Sequence, residues 1–307
     1  MRFFITGAGG YIGGSVAARL VEGGHDVAGL TRDAMRARSL AASGITPVVA
    51  SLDDSEALAR EAHSADAVIN AADADHADSL RTIITALEGT GKLLVHTSGS
   101  SVVGDDARGD RSSDTVYDEK STVVVAEHKQ ARWDINAMVL GASSRGVRSV
   151  VVCPSLVYGD GAGLNPRSIQ VPFLVEQAVA AGRVRVVGKG LNRWSNVHID
   201  DLVDLYELVI DSAPPGSFYY AENGEASFYE IGSAIAHRLG LPDIDSWEVE
   251  DAARQWGIGR AYYTFGSNSR VRAAQAREEL GWQPTHPSVL SWIENEMTIE
   301  TEGPHDS

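Results

Sequence analysis

The sequence predicts an α/β fold: a doubly wound parallel sheet with helices on both faces, followed by a smaller C-terminal lobe. Three observations predict it. Short apolar runs alternate with segments of helical periodicity from residue 2 to about residue 155, which is typical of repeated βαβ units. The first apolar run leads directly into a glycine-rich turn and then a helix. Beyond about residue 159 this alternation loosens, and there we expect the second lobe.

The predicted elements follow one another in a regular order. "RFFIT" (2–6) is a strand, "YIGGSVAARLVEGG" is a helix, and "HDVAGLTR" is a second strand. We assign residues 1–158 to the sheet domain, with 191–213 returning to it, and residues 159–307 to the lobe. Further strands are expected at 45–50, 66–72, 92–98 and 147–155, helices at 55–63, 76–91 and 126–146, and helices in the lobe at "IQVPFLVEQAVAAG", "SFYEIGSAIAHRLG" and "HPSVLSWIENEM".

Composition narrows the classes of partner. The chain has 307 residues, a formal net charge of −16 and a sequence pI of about 4.9. Such an acidic chain repels phosphate backbones and anionic membranes, so we expect a small-molecule substrate and neither nucleic acid nor membrane as partner. No apolar run is long enough for a signal peptide or a membrane span, which favours a cytoplasmic location. We expect a monomer or a homodimer. The lone cysteine, Cys153, lies in an apolar run and is expected to be buried and inert.

The glycine-rich turn "TGAGGYIGG" is the strongest site motif. Gly7, Gly10 and Gly13 have the spacing GxxGxxG directly after the first strand, with Tyr11 and Ile12 between them. The first glycine permits a sharp turn, the second lets the backbone approach a pyrophosphate, and the third lets the helix pack closely on the sheet. This pattern predicts a Rossmann dinucleotide site.

The end of the second strand predicts which dinucleotide is bound. Proteins of this fold that prefer NAD usually place an acidic residue there to accept from the ribose 2′-OH. This chain instead has "LTR", so that Arg32 and the nearby Arg36 can pair with a 2′-phosphate. We therefore predict NADP(H) as the cofactor.

Three motifs together resemble the extended short-chain dehydrogenases/reductases, in particular the branch described as NAD-dependent epimerase/dehydratase. They are the N-terminal "TGAGGYIG", "VVCPSLVYG" (151–159) and "RWSNVHIDDLVDLY" (193–206). The resemblance implies a Rossmann domain, a nicotinamide cofactor and a C-terminal substrate lobe. It also implies that further residues approach the cofactor: Leu52 near the adenine, Ala71 and Ala72 near its middle, and Pro154 and Leu156 near the nicotinamide.

The catalytic triad of that family is absent from this sequence. The family carries a Ser or Thr after the central strand and a Tyr-x-x-x-Lys on the next helix, where the tyrosine acts as acid/base. The serine position falls on Gly99 in "HTSGSSVVGD" (96–105), and the tyrosine and lysine positions fall near His128 and Arg132. We take His128, Arg132, Ser98 and Ser100 as candidate catalytic residues. "YDEK" (117–120) precedes the helix and is set aside.

Three explanations of the missing triad remain open. His128 could replace the tyrosine as proton donor. Alternatively, the substrate could bring its own donor, as in an atypical reductase of the family that acts on an aromatic polyketide. Finally, the chain could be an NADP(H)-responsive sensor without catalysis. We predict NADPH-dependent reduction of a carbonyl on a small organic molecule and favour a secondary-metabolite or polyketide ketone. A nucleotide-sugar epimerase or dehydratase is the alternative enzyme.

The remaining polar and aromatic clusters are given structural roles. "NVHIDD" (196–201) could be taken for a metal site, but the resemblance implies a helix start capped by an Asp, and we expect no metal. His76 follows the fourth strand and could face the substrate. Trp194 and "AYYTFG" (261–266) are expected in the lobe core, or as an aromatic wall for a flat ligand. No nucleophile elbow is present, which disfavours hydrolysis.

Overall fold

The computed structural model describes residues 1–242 and 244–299 and has a parallel sheet at its centre. Seven of its strands, all parallel, form this sheet. The strands are β1 (Arg2–Thr6), β2 (Asp26–Thr31), β3 (Thr46–Val49), β4 (Ala67–Asn70), β5 (Leu93–Thr97), β6 (Arg148–Pro154), β7 (Leu156–Tyr158), β8 (Arg185–Val187), β9 (Arg193–His198), β10 (Ser217–Ala221), β11 (Glu225–Ser227) and β12 (Asp245–Trp247).

Helices connect and cover these strands. Within the described residues, none of them is both long enough and apolar enough to cross a membrane. The helices are α1 (Tyr11–Glu22), α2 (Ala34–Ala42), α3 (Ser55–Ser64), α4 (Ala77–Leu87), α5 (Gln130–Gly141), α6 (Gln170–Ala181), α7 (Ile199–Ser212), α8 (Phe228–Leu239), α9 (Val249–Trp256), α10 (Ile258–Arg260), α11 (Ala274–Leu280) and α12 (Val289–Asn295).

The sheet has the strand order β3-β2-β1-β4-β5-β6-β10. Its two faces carry separate apolar clusters, because parallel strands are covered on both sides. Leu20 of α1 and Tyr206 of α7 belong to one cluster, and Leu58 of α3 and Leu80 of α4 belong to the other. This confirms the predicted doubly wound fold. The strand order reverses between β1 and β4, and in such sheets a ligand binds beyond the carboxyl ends at that point.

One strand extends the sheet domain beyond its predicted bounds. β10 pairs in parallel with β6 as the edge strand, and it lies outside both 1–158 and 191–213. β9, by contrast, joins β7 and β11 in a separate three-stranded sheet, while α7 packs against α1. The chain therefore crosses between the sheet domain and the lobe more often than the sequence pattern indicated.

The C-terminal lobe has its own core. Side chains of α6, α8, α9 and α12 form one buried cluster with the aromatic residues Trp194 and Phe265. The indole N–H of Trp194 donates to the carbonyl of Ser267 at 2.8 Å. Burial of this ring, which is 3% exposed, agrees with the core role expected from the sequence.

Candidate functional site

A groove of about 640 Å³ lies beyond the carboxyl ends of β1, β2 and β4. This is the strand-order reversal point, where the fold is expected to hold its ligand. Seven of the predicted cofactor residues line it, with other residues of the same loops. The lining is Gly7, Gly9, Gly10, Leu30, Thr31, Arg32, Asp33, Arg36, Ser51, Leu52, Asp53, Ala71, Ala72, Asp73 and His76.

The glycine turn brings the backbone close to its surroundings. Gly7 has φ +79°, a conformation that L side chains rarely adopt, and a Cβ there would lie 2.6 Å from the carbonyl oxygen of Ala71. A Cβ on Gly13 would lie 2.5 Å from the oxygen of Gly7, so the third glycine packs α1 against the turn. α1 begins after Gly10 with no side-chain cap and no acidic residue in its first turn. Its first N–H groups therefore suit an anionic ligand such as a pyrophosphate.

The charges at the end of β2 also fit such a ligand. Arg32 and Arg36 are exposed and line the groove. The nearby carboxylate of Asp33 accepts a hydrogen bond from the Met35 N–H at 2.7 Å and so caps α2. The acidic group next to Arg32 therefore caps α2, and at the groove it stands beside two guanidinium groups.

The loop after β4 forms the far wall of the groove. His76 caps α4, because its Nδ1 accepts from the Ser79 N–H at 3.2 Å. Its Nε2 lies 3.2 Å from an oxygen of Asp53. His76 is thus part of the groove wall, held on both ring nitrogens, rather than a free histidine facing a substrate.

The other predicted cofactor residues do not line this groove. The hydroxyl of Tyr11 donates to the carbonyl of Gly159 at 2.8 Å, and burial raises its pKa well above the ordinary value. Ile12 packs against the sheet core, and Gly13 lies buried in α1. Pro154 ends β6, and Leu156 is buried in the lobe core. Their assignment to the cofactor therefore stays a prediction from the family resemblance.

A second polar cluster lies at the carboxyl end of β5. Lys129 Nζ donates to Ser101 Oγ at 3.3 Å, and Arg132 Nη1 donates to the same oxygen at 3.2 Å. Arg132 also makes a bidentate ion pair with Asp75, whose pKa it lowers. Asp75 belongs to the loop whose other residues line the groove, so the cluster adjoins the groove wall.

Gly99 leaves room for the guanidinium of Arg132. A Cβ on Gly99 would lie 3.6 Å from Arg132 Nη1, which is ordinary contact distance. At the position that the family resemblance assigns to the serine, the chain thus offers no hydroxyl, and the guanidinium group of Arg132 lies beside it.

The serines flanking Gly99 are not equivalent. Ser100 is 1% exposed, and its hydroxyl forms a hydrogen bond of 2.8 Å with the hydroxyl of Ser269. Its hydroxyl is therefore paired with Ser269 rather than with Lys129 or Arg132. Ser98 is buried beside Cys153, whose pKa burial raises to about 12. The half-buried Ser101 meets the basic side chains instead. Sequence reasoning chose Ser98 and Ser100 because it could not determine which way the turn after β5 directs each hydroxyl.

The ring of His128 stacks on Tyr263, with centroids 3.8 Å apart and planes 19° apart. It makes no hydrogen bond to any described residue. Burial, with the nearby Lys129, lowers its pKa.

The "YDEK" motif (117–120) makes its contacts with the C-terminal part of the chain. Tyr117 forms a β-bridge with Val271, and Lys120 Nζ lies 3.6 Å from a carboxylate oxygen of Glu278.

A buried hydrogen-bonded row crosses the sheet beneath these clusters, and the sequence did not indicate it. Thr6 Oγ1 donates to Asn70 Oδ1 at 2.6 Å, and Asn70 Nδ2 lies 3.0 Å from His96 Nδ1. His96 is fully buried, and this burial, reinforced by Arg132, lowers its pKa to about 4. The imidazole is therefore neutral near pH 7, with Nδ1 as acceptor.

The "NVHIDD" segment joins the two lobes. His198, not an Asp, caps α7, because its Nδ1 accepts from the Asp200 N–H at 3.2 Å. Asp201 accepts from the Thr285 and His286 N–H groups at 2.8 and 3.0 Å. Donor atoms of His198, Asp200 and His286 lie within 4.8 Å of one another, but both rings are already engaged in these contacts and stack on each other. The cluster serves as an inter-lobe joint.

Comparison with known proteins establishes the family. Residues 3–220 match the NAD dependent epimerase/dehydratase family, and the chain belongs to that family. It is 31% identical to oxidase ucsJ of Acremonium sp. over 98% of both chains. It is 30% identical to uncharacterized protein C2A9.02 of Schizosaccharomyces pombe, over 95% of this chain and 97% of that one.

More distant proteins include a ketoreductase by sequence and a dehydratase that shares the fold. The chain is 26% identical to 4-hydroxy-2-methyl-3-oxo-4-farnesyl-3,4-dihydroquinoline-1-oxide ketoreductase of Stigmatella aurantiaca, over 94% of this chain and 95% of that one. The structure of dTDP-glucose 4,6-dehydratase from Bacillus anthracis with NAD superposes with a TM-score of 0.75 at 17% identity, covering 96% and 94% of the chains. The chain is thus an oxidoreductase of a nicotinamide-dependent family.

Proposed function

We propose that the protein is an NADPH-dependent reductase of a ketone on a small organic molecule, of the kind found in secondary metabolism. The observation that carries the cofactor assignment is the pair Arg32 and Arg36 at the groove, with the neighbouring Asp33 occupied as a helix cap. A 2′-phosphate is dianionic, and guanidinium groups bind it by charge-assisted hydrogen bonds.

The groove residues take distinct parts in cofactor binding. The backbone of Gly7 and Gly10 and the start of α1 would hold the pyrophosphate, while Leu52 would contact the adenine and Ala71 and Ala72 the middle of the dinucleotide. When bound, NADPH supplies a hydride. The chain's own residues then orient the substrate, exclude water and supply a proton to the carbonyl oxygen.

The absence of the family triad favours ketone reduction over epimerisation. A sugar epimerase must remove a proton from a hydroxyl, and the family uses a tyrosine for this step. Here the corresponding region holds His128, stacked on Tyr263, and Arg132, paired with Asp75. Relatives that are 26% identical include both a ketoreductase and a UDP-glucose 4-epimerase, so the choice rests on the missing tyrosine.

Two measurements test this proposal. Fluorescence titration should show that NADPH binds about tenfold or more tightly than NADH, since one charge-assisted contact contributes on the order of 1.5–3 kcal/mol. Loss of NADPH absorbance should then be followed with acetophenone, its ortho-hydroxylated derivative and 1-tetralone. Turnover of any of these ketones supports a reductase. Tighter binding of NADH, or NADPH binding with no turnover, would contradict the proposal, the latter in favour of a sensor.

A further inference from the structure

Lys129 stands out among the cations of this acidic chain. It is half-buried at the last position of the 3₁₀ turn Glu127–Lys129, directly before α5. No ion pair joins it to a carboxylate in residues 1–242 and 244–299, because the neighbouring Asp75 is taken up by Arg132. Its polar contact is the hydroxyl of Ser101, and its ammonium lies 5.6 Å from the ring centroid of Tyr263.

This environment disfavours the charged amine. Burial, and then the positive charge of Arg132, lowers the pKa of Lys129, and Asp75 opposes the effect only in part. The other titratable groups that face this cluster are His128 and Tyr263, with Asp106 acting on His128. A partly desolvated ammonium without a counterion is unfavourable to the folded state and is typical of sites where a proton moves.

From this geometry we propose that Lys129 is the catalytic proton donor to the substrate carbonyl, with Ser101 and Arg132 as its positioning residues. The inference rests on the proposed function. In the reaction the carbonyl carbon gains a hydride and NADPH is oxidised to NADP⁺. The carbonyl oxygen takes a proton from Nζ, so that one N–H bond breaks and one O–H bond forms. The neutral amine then regains its proton from water.

His128, one of the proton donors that the sequence left open, is less suited to this step. Its imidazole lies flat against Tyr263, and among the described residues nothing hydrogen-bonds to it or orients it. Lys129, by contrast, is directed at Ser101, whose oxygen it shares with Arg132. We assign to His128 and Tyr263 the role of an aromatic wall beside Lys129.

The test compares variants of Lys129 in the full-length protein with NADPH and whichever ketone of the panel turns over. Lys129→Gln should lower kcat/KM by about 100-fold or more, the usual contribution of a general acid. Lys129→Arg should lower it similarly, because arginine keeps the charge but does not give up its proton. Lys120→Gln, which removes an exposed lysine, is the matched control and should retain wild-type kcat/KM.

The pH profile separates proton donation from a structural role. In the wild type, kcat/KM should fall on an alkaline limb below the ordinary lysine pKa of about 10.4. Ser101→Ala removes an acceptor that stabilises the ammonium, so the limb should move to lower pH. The limb should be absent in Lys129→Gln.

A readout independent of turnover is the pH dependence of acetylation of Lys129 by acetic anhydride, measured by mass spectrometry on the NADP⁺-loaded protein. Reaction should begin at lower pH than for an ordinary lysine, and at still lower pH in Ser101→Ala. Full activity of Lys129→Gln, with the alkaline limb of the kcat/KM profile unchanged, would overturn the assignment of Lys129 as proton donor. The proposal that the protein is a reductase would still stand. Failure of the wild type to reduce any ketone would instead refute the proposed function itself.

Discussion

Replacing His96 with glutamine should make the protein's stability less dependent on pH on the acid side of neutrality. His96 is fully buried in β5, accepts from Asn70 Nδ2 through Nδ1, and has a pKa of about 4 against an ordinary value of 6.5. Between these two values the unfolded chain binds a proton that the folded chain does not. Stability is therefore lost as the pH falls from 6.5 towards 4.

The size of this loss follows from the two pKa values. At pH 5 the unfolded histidine is almost fully protonated and the folded one is almost fully neutral. With RT of about 0.59 kcal/mol, proton linkage lowers the free energy of unfolding by about 2 kcal/mol between pH 7 and pH 5 through His96 alone. The loss approaches about 3 kcal/mol at pH 4 and below.

The assay is urea denaturation at pH 7 and pH 5, followed by circular dichroism. The difference in free energy between the two pH values should be about 2 kcal/mol smaller in His96→Gln than in the wild type. His63→Gln, which removes an exposed histidine, is the matched control. Because only the difference between pH values is compared, any overall destabilisation of the variant does not matter. An equal loss in His96→Gln and wild type would refute the reasoning.

Two further predictions concern the groove. Arg32→Ala should weaken NADPH binding by about tenfold or more with little change for NADH. Arg38→Ala, which removes an exposed arginine of α2 outside the groove lining, should leave both affinities unchanged in a fluorescence titration. Gly13→Ala places a Cβ 2.5 Å from the carbonyl oxygen of Gly7, so it should lower the free energy of unfolding by about 1–3 kcal/mol and lower the Tm. Gly9→Ala is the control, because a Cβ there meets nothing within 4 Å, and its Tm should equal that of the wild type. Equal melting of the two glycine variants would contradict the close packing of α1 on the turn.

The sheet and its glycine turn could be predicted from the sequence because both depend on local patterns. Short apolar runs predicted the strands of the first half, and helical spacings predicted its helices except α2. The GxxGxxG pattern after β1 located the groove. β10 was missed because its pairing with β6 depends on a chain return from the lobe. The predicted helix over 126–146 is α5 flanked by two 3₁₀ turns, a distinction that periodicity does not resolve.

The polar cluster could be predicted only in part. The sequence located Arg132 and the vacancy at Gly99, but choosing Ser101 over Ser100 requires the direction of each side chain in a 3₁₀ turn. Asp75 and Lys129 gain their roles from contacts between loops far apart in sequence. Such contacts leave no periodic signal.

The most direct test of the central claim uses NADPH carrying deuterium on its transferable position, with mass spectrometry of the product. The account predicts one deuterium on the carbinol carbon of a reduced ketone, formed in step with NADP⁺. An epimerase returns its hydride to the substrate and would give no net transfer from NADPH. Absence of label from every ketone product, despite tight NADPH binding, would contradict the assignment of a reductase.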